Sequence, residues 1–456
     1  MGIDWWVIKG LLTIAEITAK QLAELKCMVH GCKLRMMFRF LAATLMNGFP
    51  PQRLLLGLLP LLALLQGCKM PLLQEYLGER SKSIGFGSTI RVLVETREGA
   101  DPLALKQQKS TINAEIREFE RFNPDVKIQA RFIPIVDLER EIKFQHTRGL
   151  GPDLILLTNN NALPFLRKNF IKPVSLNRFE ILSIRKSLLP LFKHKGKLIG
   201  IPVFIYPQLA CYNRLRLKKP PENLDELIKL SQNGYSFGIS KNFDQLLWLY
   251  SGLGDALFEP KILPSSLSFL RWLKLANLQP TISFESDPLL LRSGLISGEF
   301  SWITCNGAWL PGLQSSMGDK LGTVMLPNMP TGNARPFLSA RTWLFGSQSS
   351  GRQHELAKKF VLFSVNIVQQ RNMALKLGTA APVNPGISLP LKTNNTLQLV
   401  NLAAERGKLL SLDQIDWLYK TDPVLRPDLN RVISGEQSPE AIAPRLNQLL
   451  KYGAKK

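Results

Sequence analysis

The sequence predicts an α/β protein in which mostly parallel sheets are flanked by helices. Three observations carry that expectation. Residues 90–95 (IRVLVE), 127–135 (KIQARFIPI) and 154–157 (LILL) read as strands, and helix-period segments at 110–122 and 137–145 separate them, the alternation of βαβ units. The 456 residues, 45% apolar and 20% charged, suffice for two or three domains that bury cores unaided, which excludes disorder and disulfide-stapled miniproteins. A long extended stretch at 202–212 then leads into a second set of short strands and helices.

Each element has a local cause. The run at 90–95 is rich in β-formers, 127–135 alternates apolar and polar as a half-buried strand does, and 154–157 is uniformly apolar, as in a buried strand. A Gly151-Pro152-Asp153 turn precedes that last run. Asn223 caps a helix at 223–231, and 236–240 is a short strand. Helices dominate 244–275, 354–377 and the C-terminal region, with no internal repeat or low-complexity block.

The N-terminal region reads as an address. Residues 54–65 form a nearly uninterrupted apolar run after Arg53; as a helix it would span about 18 Å, against the roughly 30 Å of a bilayer core. That is signal-peptide length, and Leu65-Gln66-Gly67-Cys68 after it is similar to a bacterial lipobox, with the Cys68 thiol as the acyl acceptor. Translation starting at Met36, Met37 or Met46 would give an ordinary short leader, leaving 1–35 as a mis-assigned start. Residues 1–67 are therefore read as leader and 68–88 as lipid anchor and polar tether, which places the protein lipid-anchored on the periplasmic or cell-surface side of a bacterial membrane. The leader carries seven Lys and Arg against three Asp and Glu, so +19 of the total +23 belongs to the exported part.

That charge does not identify a nucleic-acid reader, because Lys and Arg are spread along the chain and no recognition module appears. A basic surface beside anionic lipid is the simpler reading. Zinc-protease, nucleophile-elbow, Walker and dinucleotide patterns are all missing, and no carboxylate pair stands out. Cys27, Cys32, Cys68, Cys211 and Cys305 are too scattered for a zinc site. The expectation is a non-enzyme without cofactor or metal.

From about Thr89 to Leu450 the chain resembles the family 1 extracellular solute-binding proteins of ABC importers, the maltose-binding-like group. Several segments carry this, in order: 118–127 (EFERFNPDVK), Gly151-Pro152-Asp153 before LILL, Gly200-Ile201-Pro202-Val203, Cys211-Tyr212-Asn213, 220–227 (PPENLDEL), Asn306-Gly307-Ala308-Trp309, Leu326-Pro327, Arg335-Pro336-Phe337 and 435–441 (GEQSPEA). Asn223-Leu224 stands where the family usually has Thr-Trp. The resemblance implies a type II periplasmic-binding-protein-like fold of two α/β lobes joined by crossing strands at 202–207 and around 339–342. Lobe 1 would comprise 89–203 with 338–385, and lobe 2 would comprise 204–337 with 386–456.

It also implies the site. Sugar binding calls for aromatic platforms and a ring of hydrogen-bonding groups. Carried over by position, Trp309 is the stacking candidate, Tyr206 a contact on the crossing strand, and Asn159, Asn160 and Asn161 the loop after the second strand, where several relatives have an acid. Arg97 and Glu98 follow the first strand, and Trp248, Trp343 and Arg341 complete the candidates; Asp244 and Trp417 rank below them. Cys211 and Cys305 read as small buried hydrophobes, with a bridge between them left open. The implied function is a monomeric, lipid-anchored binding protein that captures a sugar, an oligosaccharide or polyol glycoside, and delivers it to ABC permease subunits. The first alternative is an anionic ligand such as a glycerol phosphoester, held by Arg97 and Arg341; the second is a polysaccharide-active lipoprotein enzyme.

Overall fold

A computed structural model of the protein describes residues 88–96, 102–253, 266–330 and 332–454. The leader, Cys68, the tether, and Arg97 and Glu98 lie outside the described residues. Chain order opens with β1 (Ser88–Thr96), α1 (Pro102–Phe122), β2 (Val126–Pro134), α2 (Ile135–His146), β3 (Leu154–Thr158), α3 (Ala162–Arg167) and β4 (Ile171–Lys172). A small hairpin, β5 (Lys193–His194) and β6 (Lys197–Leu198), leads into the long strand β7 (Gly200–Asn213). Next come α4 (Leu224–Gln232), β8 (Phe237–Ser240), α5 (Phe243–Gly252), α6 (Leu267–Asn277), β9 (Ile282–Glu285), α7 (Pro288–Ser297), β10 (Trp302–Asn306), α8 (Leu310–Met317) and β11 (Leu321–Val324). Strand β12 (Phe337–Gly346) returns the chain, followed by α9 (Gly351–Ser364), α10 (Ile367–Leu377), β13 (Ala381–Pro382), α11 (Asn395–Arg406), β14 (Lys408–Leu409), α12 (Leu412–Ile433) and α13 (Pro439–Ala454).

The strands run in the order β2-β1-β3-β12-β7-β10-β8-β9. Within each lobe they are parallel: β1 beside β2 and β3 in one, β8 beside β9 and β10 in the other. Antiparallel pairing is concentrated where the lobes join, because β12 and β7 cross between them and pair with each other and with β3 and β10 respectively. The predicted mostly parallel sheets are therefore correct inside the lobes and interrupted at the crossing. Strand β7 is buried along nearly all of its 14 residues, in keeping with its largely apolar sequence, and contains the extended stretch expected at 202–212. Pro202 and Pro207 bring no N–H to the ladder, and the register with β12 slips between Arg341 and Thr342, where residues 204 and 202 are the partners.

The quoted motifs have structural causes. Asp153 is fully buried and accepts from the Arg91 backbone N at 2.8 Å and the Ser349 Oγ at 2.7 Å, so the Gly-Pro-Asp turn pins β1 to the end of β12. At Gly346 a Cβ would stand 1.7 Å from the Pro152 carbonyl oxygen, which leaves room for glycine alone. Asn223 caps α4 as expected, its side chain accepting from the Glu226 N. Helix α1 begins eight residues earlier than its periodicity suggests, with Pro102 in its first turn, where a missing N–H costs nothing. Helix α12 continues through Pro423 and Pro427, positions where sequence rules expect a break.

Cys211 and Cys305 are bonded to each other, with Cα atoms 5.8 Å apart, which settles the pairing the sequence left open; both are buried, as expected. They sit two residues out of register on the paired strands β7 and β10, as diagonal neighbours close enough for a bridge. Two cores hold the lobes. In one, Phe119, Trp343 and Phe360 pack edge to face, with ring centroids 5.2 and 5.6 Å from Phe360. In the other, Trp248, Tyr250, Phe269 and Trp302 lie beneath α12 and α13. Burying each such ring contributes roughly 1.5–3 kcal/mol.

Candidate ligand-binding cleft

The C-terminal ends of β1, β3, β8 and β10 converge on one cavity of about 780 Å³. Parallel sheets commonly bind ligands there, where strand ends and helix starts expose polar backbone and short polar side chains. The first lobe supplies Glu95 from β1, Thr158 and Asn159, Asn160 and Asn161 from the turn after β3, and Ser339 from β12. Facing them are Ser240, Asp244 and Gln245 around the start of α5, Asp287 and Arg292 at α7, Asn306 and Trp309 after β10, and Tyr419 on α12.

The first wall is fixed by hydrogen bonds. Both Glu95 carboxylate oxygens are engaged: Thr158 donates through its backbone N to one and through its Oγ1 at 3.2 Å to the other, and the Arg341 Nη1 stands 3.2 Å away. The Arg341 Nη2 also donates to the carbonyls of Glu95 and Leu156, at 2.9 and 3.3 Å. Asn159, a lining residue, is 1% exposed; its Oδ1 accepts from the Ala340 N at 3.2 Å, while its buried Nδ2 has no partner. A buried amide donor left this way is expensive unless something binds it.

Helix N-termini build the second wall. Asp287 caps α7, accepting from the Leu289 N at 2.8 Å, and Asn242, before α5, donates to the Ser286 carbonyl at 2.9 Å, tying the two helix starts together. Asn306 caps the turn into Trp309 by accepting from the Ala308 N at 2.9 Å. Gly307 is required between them, since a Cβ would fall 2.3 Å from the Thr379 carbonyl oxygen. Burial pushes the Asp244 carboxyl above its ordinary range and Asp422 adds to the effect, against hydrogen bonds from Gln245 and Tyr419 that lower it. Helix-start dipoles favour the remaining negative charge.

Of the expected residues, the structure brings Trp309, Asn159, Asn160, Asn161 and the lower-ranked Asp244 together in this cleft, but not Trp417. Trp309 is half-buried, as a stacking platform needs to be. Tyr206 and Arg341 line a smaller adjoining chamber, and the Arg341 guanidinium is committed to Glu95 and two carbonyls, so it forms no anion clamp. Trp343 touches that chamber too but is 1% exposed, its Nε1 donating to the Ser364 Oγ at 3.2 Å: a core residue. Trp248 is 0% exposed, on a helix buried nearly all round, and does not line the cleft. Arg97 and Glu98 lie outside the described residues.

The sequence alone missed Glu95, Asp287, Arg292, Gln245 and Tyr419. Strand-end and helix-cap positions were the available signal: Glu95 ends the β-rich run 90–95, and Asp287 directly precedes Pro288. Among the described residues no group of three or more His, Cys, Asp or Glu could hold a metal ion, and no helix is long and apolar enough to cross a membrane.

No family model matches the chain, and no curated protein does. Solved structures do. The GacH receptor of Streptomyces glaucescens, determined unliganded and with acarbose, matches with a TM-score of 0.67 at 15% identity, covering 81% of this chain and 99% of that one. The maltose-binding periplasmic protein MalE from Listeria monocytogenes, in complex with maltose, matches at 0.65 and 15%, over 81% and 98%. A cyclo/maltodextrin-binding protein complexed with maltotetraose matches at 0.63 and 15%, over 79% and 96%. At such identity the likeness shows the fold: two lobes of maltose-binding-protein type.

Proposed function

We propose that this protein is a solute-binding protein of an ABC importer that captures a neutral sugar, an oligosaccharide or polyol glycoside, between its lobes and delivers it to the permease. The observation that carries the reading is the cleft itself: asparagine amides and carboxylates opposite a half-buried tryptophan, with no lysine among its described lining residues. Hydroxyl rims match amide and carboxylate edges, and an apolar sugar face matches an indole. The three solved relatives named above bind carbohydrate, which agrees with this chemistry.

In this reading 89–203 with 338–385 form lobe 1 and 204–337 with 386–456 form lobe 2, hinged at β7 and β12. Ligand contacts to both walls favour the closed state, which the permease reads. The leader and Cys68 would hold the protein on the outer side of the membrane through lipid, as a monomer. Phosphoester binding is disfavoured, since Arg341 is taken up by Glu95 and the cleft carries three carboxylates against one arginine. An enzymatic role has no support in the cleft, whose Glu95 is fully hydrogen-bonded.

A thermal-shift panel of sugars, polyols and glycerol phosphoesters tests this, because a ligand that binds only the folded state raises the melting temperature by mass action. Upward shifts with neutral sugars are expected. Shifts with phosphoesters alone would overturn the sugar assignment.

A further inference from the structure

Beside the cleft lies a second chamber of about 130 Å³, and Glu95 and Ala308 stand in the walls of both. Its lining is mainly apolar, with the Glu95–Arg341 ion pair on one side. Helix α1 covers it with Leu105 and Ile112, the crossing strands contribute Phe204 and Trp343, and α10 closes it with Met373 and Leu377. A dry apolar cavity near 150 Å³ is enough to hold a benzene-sized ring.

One polar group in this lining stands out. Glu115, on the inner face of α1, is 3% exposed, and its Oε1 has no hydrogen-bond partner. Polar neighbours of Glu115 are occupied elsewhere: the Gln107 Nε2 donates to the Lys376 carbonyl at 3.0 Å, the Gln108 Nε2 to the Glu95 carbonyl at 3.3 Å, the Thr111 Oγ1 to the Gln107 carbonyl at 2.8 Å, and Arg341 pairs with Glu95. A buried carboxyl without a partner, inside a mainly apolar chamber that borders a binding cleft, is costly unless a ligand atom completes it.

We propose that this chamber is a subsite for a compact, ring-sized apolar substituent carried by the ligand, with Glu115 hydrogen-bonding a hydroxyl or ether oxygen at its rim. The inference rests on the sugar reading and narrows it: the preferred ligand is a glycoside whose non-sugar end is a small ring. Burial, with Glu118 nearby, pushes the Glu115 carboxyl up to about 8, so at neutral pH it is an acid that can donate as well as accept.

The test uses two probes on the purified protein. Methyl and phenyl β-maltosides are titrated by calorimetry, and 4-fluorophenol alone is followed by ¹⁹F line broadening, each with wild type, Leu105→Trp, which fills the chamber, and Glu115→Gln. The phenyl glycoside is expected to bind roughly tenfold tighter than the methyl one, the effect of burying one ring-sized apolar group. Leu105→Trp removes that preference and the 4-fluorophenol broadening while leaving methyl maltoside affinity unchanged; Glu115→Gln weakens the phenol response. Equal affinities for the two maltosides, or broadening that persists in Leu105→Trp, overturn the subsite. If neither maltoside binds, the sugar reading fails for these sugars, and 4-fluorophenol still decides the chamber.

Discussion

The two walls of the cleft are made differently. On the first lobe the polar atoms are fixed in advance by interior strands of the sheet: Glu95 is held by Thr158 and Arg341, and Asn159 by the Ala340 backbone. On the second lobe they stand at helix starts, at Asp244, Asp287 and Asn306, and the platforms Trp309 and Tyr419 are half-buried and 44% exposed. One wall is held by bonds between strands far apart in the chain, and the other by local helix-start caps that leave its two aromatic rings partly exposed. A hinged binder gains from this division, since a fixed wall holds the ligand in register while the other wall adapts as the lobes close.

The largest way to break the contrast is to loosen the second wall at its root. Replacing Cys211 and Cys305 together by alanine removes a link spanning 94 residues, immediately before Asn306 and Trp309. A loss of about 2–5 kcal/mol of stability is expected, read by denaturant melts. Glu115, behind the first wall, is next. Its carboxyl ionises near 4.5 in the unfolded chain and about 8 in the folded one, so the folded state holds a proton that the unfolded state has lost between those values. Stability therefore falls as pH rises from 4.5 to 8, and Glu115→Gln abolishes that slope: its melting temperature matches wild type near pH 5 and exceeds it increasingly toward pH 8.

Trp309→Ala tests the adaptable wall directly. Sugar affinity should fall by about 2 kcal/mol, roughly 30-fold, with the melting temperature of the free protein little changed, because the ring is a platform more than a core element. The converse holds for Asn159→Ala on the fixed wall. It leaves the buried Ala340 N–H without its acceptor, so about 1–3 kcal/mol of stability is lost along with affinity. If Trp309→Ala cost stability and Asn159→Ala did not, the assignment of the two walls would be reversed.

Much of the fold was legible because its causes are local. Alternating and continuous apolar runs gave β1 to β3, Asn223 announced its helix, and Gly-Pro-Asp marked a turn whose aspartate proves structural. Trp309 and the three asparagines were legible through the Asn-Gly-Ala-Trp and post-strand positions they occupy. What stayed hidden depends on which face a residue presents. Trp248 and Trp343 have the chemistry of a sugar platform, yet tertiary packing turns both into the cores. Arg341 reads as an anion ligand until Glu95, 246 residues away in the chain, is seen to hold it. Tyr419 reaches the cleft on a helix that passes through two prolines, where the local rule predicts an end. The Cys211–Cys305 pairing required the register of β7 against β10.

The central claim, a neutral sugar held between a fixed wall and an adaptable one, is tested most directly by calorimetric titration of a maltodextrin series at low and high salt. A neutral ligand predicts binding that changes little with ionic strength and weakens roughly 30-fold in Trp309→Ala. Absence of carbohydrate binding, together with salt-sensitive binding of a glycerol phosphoester, would contradict it.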